Sequence, residues 1–150
     1  MQTDIRPVES FPVMPPLADP SFADVCWEYL DRIRLLCEKN DTELVLIKAP
    51  SLYPHWYDEW ETQIEEYSEK YGIKYYNLLE VTDEIGIDWS VDTYDKGLHL
   101  NVYGAEKLSV YFGKILSEEL DVSDKRGSKE DVKIWQTKCD IYYREKENNY

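Results

Sequence analysis

Apolar side chains recur every three or four positions in several stretches of this chain, a spacing that is typical of amphipathic helices. It predicts four helices, over residues 21–39, 56–71, 103–120 and 130–146. We expect Ser21 to cap the first helix and Gly72 to end the second in a left-handed turn. The apolar face predicted for the first helix consists of Phe22, Val25, Cys26, Tyr29, Leu30, Ile33, Leu36 and Cys37.

Two shorter segments predict β-strands, over residues 44–47 and 73–79. The first reads Leu-Val-Leu-Ile, and an unbroken apolar run of this kind favours a strand that is buried on both faces in a parallel sheet. The second helix joins the two strands and would serve as a crossover that leaves them parallel. Helices and strands therefore alternate, which predicts an α/β fold.

The chain divides into three parts by composition. Five prolines in residues 1–20 predict an extended arm, residues 21–120 form the α/β part, and residues 121–150 hold a polar linker (121–129) and a last helix. Two parallel strands leave the sheet edges without partners. We therefore expect the sheet edge to be met by the extended arm, by a second copy of the chain or by a missing N-terminal half of the fold.

Charge and cysteine content narrow the classes of partner. The 150 residues carry a formal net charge of -14, so we expect no nucleic acid and no anionic membrane surface as a partner. The three cysteines form no Cys-x-x-Cys pair, so neither a metal site nor a disulfide framework is predicted, and Cys26 and Cys37 are interpreted as small core residues. Residues 1–20 show no apolar signal segment, and we predict a cytoplasmic location.

A histidine just before the third predicted helix is the strongest candidate for chemistry. His99 has Asp95 four positions upstream and Asp92 seven positions upstream. A carboxylate that accepts a hydrogen bond from one ring nitrogen fixes the tautomer and leaves the other nitrogen free as a base. Either aspartate could do this, and we favour Asp95. Gly104 is expected to allow a close approach of the backbone to a neighbouring segment.

The sequence of residues 95–109, Asp-Lys-Gly-Leu-His-Leu-Asn-x-x-Gly-Ala-x-Lys-Leu-Ser, resembles the last conserved block of SGNH/GDSL hydrolases. It is similar to the variant in SGNH proteins related to cell-wall acylation factors, and the order of elements over residues 44–120 is similar as well. The resemblance implies a three-layer α/β/α fold of the flavodoxin-like SGNH type, with a short parallel sheet and flanking helices. It also implies a Ser-His-Asp triad in which His99 is the base and Asp95 orients it. The implied substrates are small acyl esters, and no cofactor is implied.

The sequence departs from that family at the nucleophile. It contains no Gly-Asp-Ser block and no Gly-x-Asn-Asp block, so we expect the nucleophile to lie outside this chain. Ser51 follows the first strand, where α/β folds bind ligands, but its Pro-rich surroundings are unlike a nucleophile elbow. His55 is a candidate for substrate contact or a surface histidine, and Asn101 is a candidate for substrate contact or a helix cap.

The sequence thus predicts the C-terminal portion of an SGNH-like esterase or O-acyl hydrolase/transferase that is inactive alone. The alternative is a non-catalytic remnant or an oligomerising interaction module.

Overall fold

A computed structural model describes residues 1–120, 122–123, 127 and 129–148. Over these residues the chain forms five helices and two strands. In chain order they are α1 (Asp24–Lys39), β1 (Val45–Lys48), α2 (Asp58–Tyr71), β2 (Lys74–Asn77), α3 (Thr82–Ile85), α4 (Val102–Glu118) and α5 (Lys129–Asn148). The mixed α/β class is confirmed. Most of the linker predicted over residues 121–129 lies outside the described residues.

The chain separates into two compact units. One comprises Phe11–Val81 and is called the sheet unit below; the other joins Met1–Ser10 to Thr82–Tyr150 and is called the histidine unit. The residues of the predicted arm, 1–20, are divided between the two units, with residues 1–10 in the histidine unit and residues 11–20 in the sheet unit. No helix in the described part of the chain combines the length and apolar character needed to cross a membrane.

The two strands of the sheet unit pair in parallel, as predicted. Val45 lies opposite Lys74 and Lys48 lies opposite Asn77, with α2 as the connection between the strands. The expectation that the first strand is buried on both faces was wrong, since the Ile47 side chain is 49% exposed. Two strands are too narrow to be covered on both sides by the neighbouring helix α2.

Helix α1 turns a different face inward from the one that its apolar spacing predicts. It has no buried residue, and Cys26 is exposed while Cys37 is only half-buried, so the interpretation of these cysteines as core residues was wrong. The inward side instead carries Trp27, whose ring stacks on Tyr67 with centroids 5.3 Å apart. The Tyr67 hydroxyl donates to Asp31 at 2.8 Å and lowers the pKa of that carboxyl. Aromatic stacking and this hydrogen bond therefore set the rotation of the helix.

Of the two helix ends predicted from the sequence, the structure confirms one and contradicts the other. Gly72 ends α2 with φ of 66°, as predicted. Helix α1 begins only after Ala23, which makes no side-chain cap, and the Ser21 N–H donates to Asp19. Ser21 is therefore not the cap of α1.

The histidine unit is built around α4. Its apolar core consists of Ile85, Ile87, Val102 and Ile115. The N-terminal segment is held to it by backbone hydrogen bonds, with Arg6 N–H donating to the Thr93 carbonyl at 2.9 Å and Val102 N–H donating to the Gln2 carbonyl at 2.9 Å. The C-terminal part of helix α5 contacts α4, because Lys146 and Tyr142 of α5 both donate to the Glu106 carboxylate of α4.

Gly104 lies in the first turn of α4 where the chain passes very close to Asp92. A Cβ atom at this position would come within 2.6 Å of the Asp92 carbonyl oxygen, which confirms the expected close approach. Gly113, in the same helix, has open space around the position of a Cβ atom. The two glycines of α4 therefore have opposite steric surroundings.

We expect Gly104→Ala to lower the free energy of unfolding by roughly 1–3 kcal/mol, because the new methyl group must displace backbone. Gly113→Ala is the matched control and should be neutral or raise stability by up to about 1 kcal/mol, the helix propensity difference. Urea unfolding of the two variants and the parent measures both effects. Equal stabilities of the two variants would contradict the close approach at Gly104.

Candidate active site

The loop that carries His99 is closed on itself by a buried threonine. Thr93 is 0% exposed, and its hydroxyl donates to the His99 carbonyl at 2.9 Å and accepts from the Gly97 N–H at 2.7 Å. An isolated antiparallel bridge joins Thr93 to Leu100. The tight return of the chain requires φ of 63° at Lys96 and 98° at Gly97. These contacts bring residue 95 back to residue 99.

Both oxygens of the Asp95 carboxylate engage the same histidine. Oδ2 lies 2.6 Å from His99 Nδ1, and Oδ1 accepts the His99 backbone N–H at 2.7 Å. The imidazole ring stacks on Tyr94, with centroids 5.7 Å apart and planes 7° from parallel. The ring is therefore fixed in rotation by a bidentate carboxylate and supported on one face.

The electrostatics of the pair favour an ionised carboxylate. Partial burial acts to raise the pKa of Asp95, but hydrogen bonds from the His99 ring and backbone, together with the charge of the ring, lower that pKa below its ordinary value. An ionised Asp95 requires that Nδ1 carry the proton. Among the described residues, Nε2 of His99 meets no hydrogen-bond partner, and the His99 side chain is 59% exposed. The second ring nitrogen is therefore not engaged by any group in the described part of the chain.

Asp92, the alternative partner of His99, has a different role. It is 1% exposed, and its Oδ2 accepts from Lys107 Nζ at 2.5 Å and from the Asp88 N–H at 2.7 Å. These contacts tie the start of the loop to the side of α4. The geometry thus selects Asp95 as the carboxylate that orients His99.

Asn101 is the N-terminal cap of α4. Its Oδ1 accepts from the N–H groups of Tyr103 and Gly104, at 3.0 and 3.2 Å, and its Nδ2 donates to the carbonyls of Val91 and Asp4, at 2.7 and 3.2 Å. The residue is 1% exposed. Of the two interpretations of Asn101, the structure shows the cap, and its polar atoms are already occupied within the protein.

Ser51 and His55 belong to the sheet unit, whereas His99, Asp95 and Asn101 belong to the histidine unit. The Ser51 hydroxyl accepts from Lys48 Nζ at 3.0 Å. Burial lowers the pKa of Lys48, although the nearby Glu61 acts to raise it. The His55 ring contacts the aromatic rings of Tyr53 and Tyr57, with centroids 5.6 and 6.3 Å away.

Three residues around His99 were not singled out from the sequence. Tyr94 supports the ring, Thr93 closes the loop and Lys107 neutralises Asp92. All three residues lie within or directly beside the sequence motif that contains His99. Their closeness to His99 in the sequence was therefore the one feature that could have suggested them. Their contacts could not be read from position, because each depends on how the loop folds back.

Comparison of the chain with protein-family models, with curated proteins and with solved structures returned no match. Over the described residues, no group of three or more histidine, cysteine or carboxylate side chains is arranged to hold a metal ion.

We predict that Asp95→Asn changes the tautomer of His99. In the parent the neutral ring should carry its proton on Nδ1, and in the variant the Nε2–H form should become populated, because the carboxylate no longer holds the proton. Nitrogen-15 chemical shifts of the ring, measured at a pH at which the imidazole is neutral, distinguish the two forms. Asp83→Asn, at an exposed position of α3, is the control and should leave the shifts unchanged. A parent ring with its proton on Nε2 would rule out the oriented pair.

We predict that Asn101→Ala destabilises the first turn of α4. We expect the amide protons of Tyr103 and Gly104 to lose protection in hydrogen exchange, because their acceptor is removed. The loss of the cap should lower the free energy of unfolding by about 1–2 kcal/mol. Asn40→Ala, which alters an exposed asparagine, serves as the comparison and should have a smaller effect. Unchanged exchange at residues 103 and 104 would contradict the role of Asn101 as a cap.

Proposed function

We propose that this chain is the C-terminal portion of an SGNH/GDSL-like esterase or O-acyl hydrolase/transferase and carries the histidine and aspartate of a Ser-His-Asp triad. The observation that supports the proposal is the bidentate contact of Asp95 with His99, at 2.6 and 2.7 Å, which leaves Nε2 of the ring without a partner among the described residues. A base of this kind needs a nucleophile whose proton it can remove. In this proposal the nucleophile is a serine that lies outside the printed sequence, and Ser51 remains a weak candidate.

The roles of the residues follow from the chemistry of acyl transfer. The serine hydroxyl attacks the carbonyl carbon of an ester, and His99 Nε2 takes the hydroxyl proton. The same nitrogen then delivers the proton to the departing alkoxide, and a water molecule or an acceptor alcohol repeats the steps in reverse to release the acyl group. Asp95 keeps Nδ1 protonated throughout and stabilises the imidazolium that forms.

The proposal also includes a specific fold for the chain. The parallel pair of β1 and β2 would be part of a wider sheet in a three-layer, flavodoxin-like arrangement, and the exposure of Ile47 in β1 supports this, because a neighbouring layer would cover it. Small O-acyl esters, including acylated carbohydrates, are the proposed substrates by analogy of the motif. The chemistry needs no cofactor. A cytoplasmic location stays a prediction.

A second candidate function is that of a non-catalytic interaction module. The exposed apolar side of α1 favours it, since helix α1 has no buried residue. The lack of a Gly-Asp-Ser block in the printed sequence favours it as well. Under this alternative, the Asp95–His99 pair serves only to hold the loop before α4 in shape.

The catalytic proposal can be tested with a serine-directed probe. We would express the chain alone and also with whatever coding sequence precedes Met1 in frame, and treat both proteins with a fluorophosphonate. We expect no labelling of the chain alone and labelling of a serine in the longer protein. His99→Ala in the longer protein should abolish the labelling, and Asp95→Asn should reduce hydrolysis of p-nitrophenyl acetate by several orders of magnitude, roughly 10⁴-fold.

The chain contains two histidines, so His55→Ala is the matched control and should retain labelling. A longer protein that is not labelled, or labelling that survives His99→Ala, would overturn the catalytic proposal. Labelling of the chain alone at Ser51 would overturn the assignment of the nucleophile to another segment.

A further inference from the structure

One side of helix α1 is lined by large apolar side chains that stay about half exposed within the part of the chain that the structure describes. These residues, called the α1 stripe, are Val25, Tyr29, Ile33 and Leu36, with exposures of 51%, 57%, 49% and 60%. They recur at intervals of three and four positions and therefore share one face of the helix. Contiguous apolar surface of this kind marks an interaction site.

The α1 stripe is complementary to itself when two helices run antiparallel. In such a pair the two copies are related by a twofold axis perpendicular to the helices. A residue of one copy then faces the residue of the other copy whose number lies equally far on the opposite side of the axis, so the mean of the two residue numbers marks the position of the axis. Val25 would face Leu36 of the second copy, and Tyr29 would face Ile33 of the second copy. Both midpoints fall at residues 30–31, so a single axis satisfies the whole stripe.

The charged residues along one edge of the α1 stripe give the same axis. Glu28 forms an exposed ion pair with Arg32 of its own helix, at 2.5 Å, and both residues lie on the same edge of the α1 stripe. In an antiparallel pair, Glu28 faces Arg32 of the second copy, with its midpoint at residue 30, close to the axis of the apolar pairs. A parallel pair would instead set Glu28 against Glu28 and Arg32 against Arg32.

We propose that α1 forms the interface of a homodimer, in which the α1 stripes of two copies pack antiparallel. Opposed helix dipoles add to the match of apolar and charged positions. The proposal names the surface of the interaction module considered above, and it does not depend on whether His99 is catalytic.

The expected strength of the dimer follows from its size and charge. A helix of 16 residues is about 24 Å long, so two of them bury less than the roughly 1,600 Å² of a standard interface. Each copy also carries a net charge of -14, which opposes association at low salt. The dimer should therefore depend on concentration and should form more readily in physiological salt than at low ionic strength.

Analytical ultracentrifugation of the full chain over a wide concentration range tests the dimer. Ile33→Lys should raise the dissociation constant roughly hundredfold or more, since two buried apolar contacts are lost per dimer. Ile141→Lys is the matched control, because Ile141 is the same residue type and similarly exposed, at 46%, but lies in α5 and not on the α1 stripe. Circular dichroism of both variants verifies that the helix content is unchanged.

The natural cysteines report the orientation of the helices. Cys26 and Cys37 lie on the edge of the α1 stripe opposite to Glu28, and they are about 16 Å apart within one helix. In the antiparallel dimer, Cys26 faces Cys37 of the second copy, with a midpoint between residues 31 and 32. In a Cys139→Ser background, a short bifunctional maleimide should therefore link residue 26 of one copy to residue 37 of the other.

Exchanging the charges of Glu28 and Arg32 gives an independent test of the charged edge of the α1 stripe. Glu28→Arg alone and Arg32→Glu alone should each weaken self-association, because like charges then face each other across the axis. An equimolar mixture of the two variants should form a heterodimer, since the charges become complementary again.

Three results would overturn the proposal. They are a monomer at every concentration, a dimer that persists in Ile33→Lys with the parent dissociation constant, and cross-links that join residue 26 to residue 26. A monomer would leave the α1 stripe to another segment or to a different protein, and it would not affect the labelling experiment that tests the catalytic proposal.

Discussion

The site depends on the hydrogen bonds of buried polar side chains that hold the loop before α4 in shape. Thr93, Asn101 and Asp92 are each at most 1% exposed, and each joins backbone groups that would otherwise be unpaired. Burial makes these bonds costly to break, because a lone polar group in the interior loses its hydration without compensation. The shape of this loop is what sets Asp95 beside His99.

This arrangement separates the residues that build the loop from the residues that face solvent. Thr93 and Asn101 have their polar atoms occupied within the protein, so they position others and are unsuited to contact a substrate. Asp95 and His99 are more exposed, and one nitrogen of His99 remains unoccupied among the described residues. A rigid support with an accessible base is the arrangement that general base catalysis requires.

The sheet unit, in contrast, leaves much of its apolar surface exposed. Its aromatic side chains pack well around Tyr57, Tyr67 and Leu78, yet its two strands and the outer side of α1 leave apolar surface in contact with water. Both proposals for the chain address this surface, one with a wider sheet and the other with a second copy. They make separate predictions, because the catalytic proposal depends on His99 and the dimer proposal depends on the α1 stripe.

The sequence by itself determined the features that depend on neighbours within a few residues. These include the α/β class, the left-handed turn at Gly72 and the pairing of two strands across a helical connection. The sequence left a helix cap and a substrate contact open for Asn101, and it did not predict α3. The close approach at Gly104 was predicted too, because a glycine at a helix start has few other reasons to be there. Local sterics and hydrogen-bonding capacity are sufficient to fix such features.

Only the tertiary structure decided which faces are covered and which carboxylate meets the histidine. Apolar spacing predicts that α1 has a preferred face, but contacts of Trp27 and Asp31 with Tyr67, far away in sequence, turned another face inward. Asp92 and Asp95 are both near His99 in sequence, and the choice between them rests on Lys107 and on the buried loop contacts. These outcomes depend on residues that meet only after the chain has folded, so the periodicity and spacing of the sequence could not determine them.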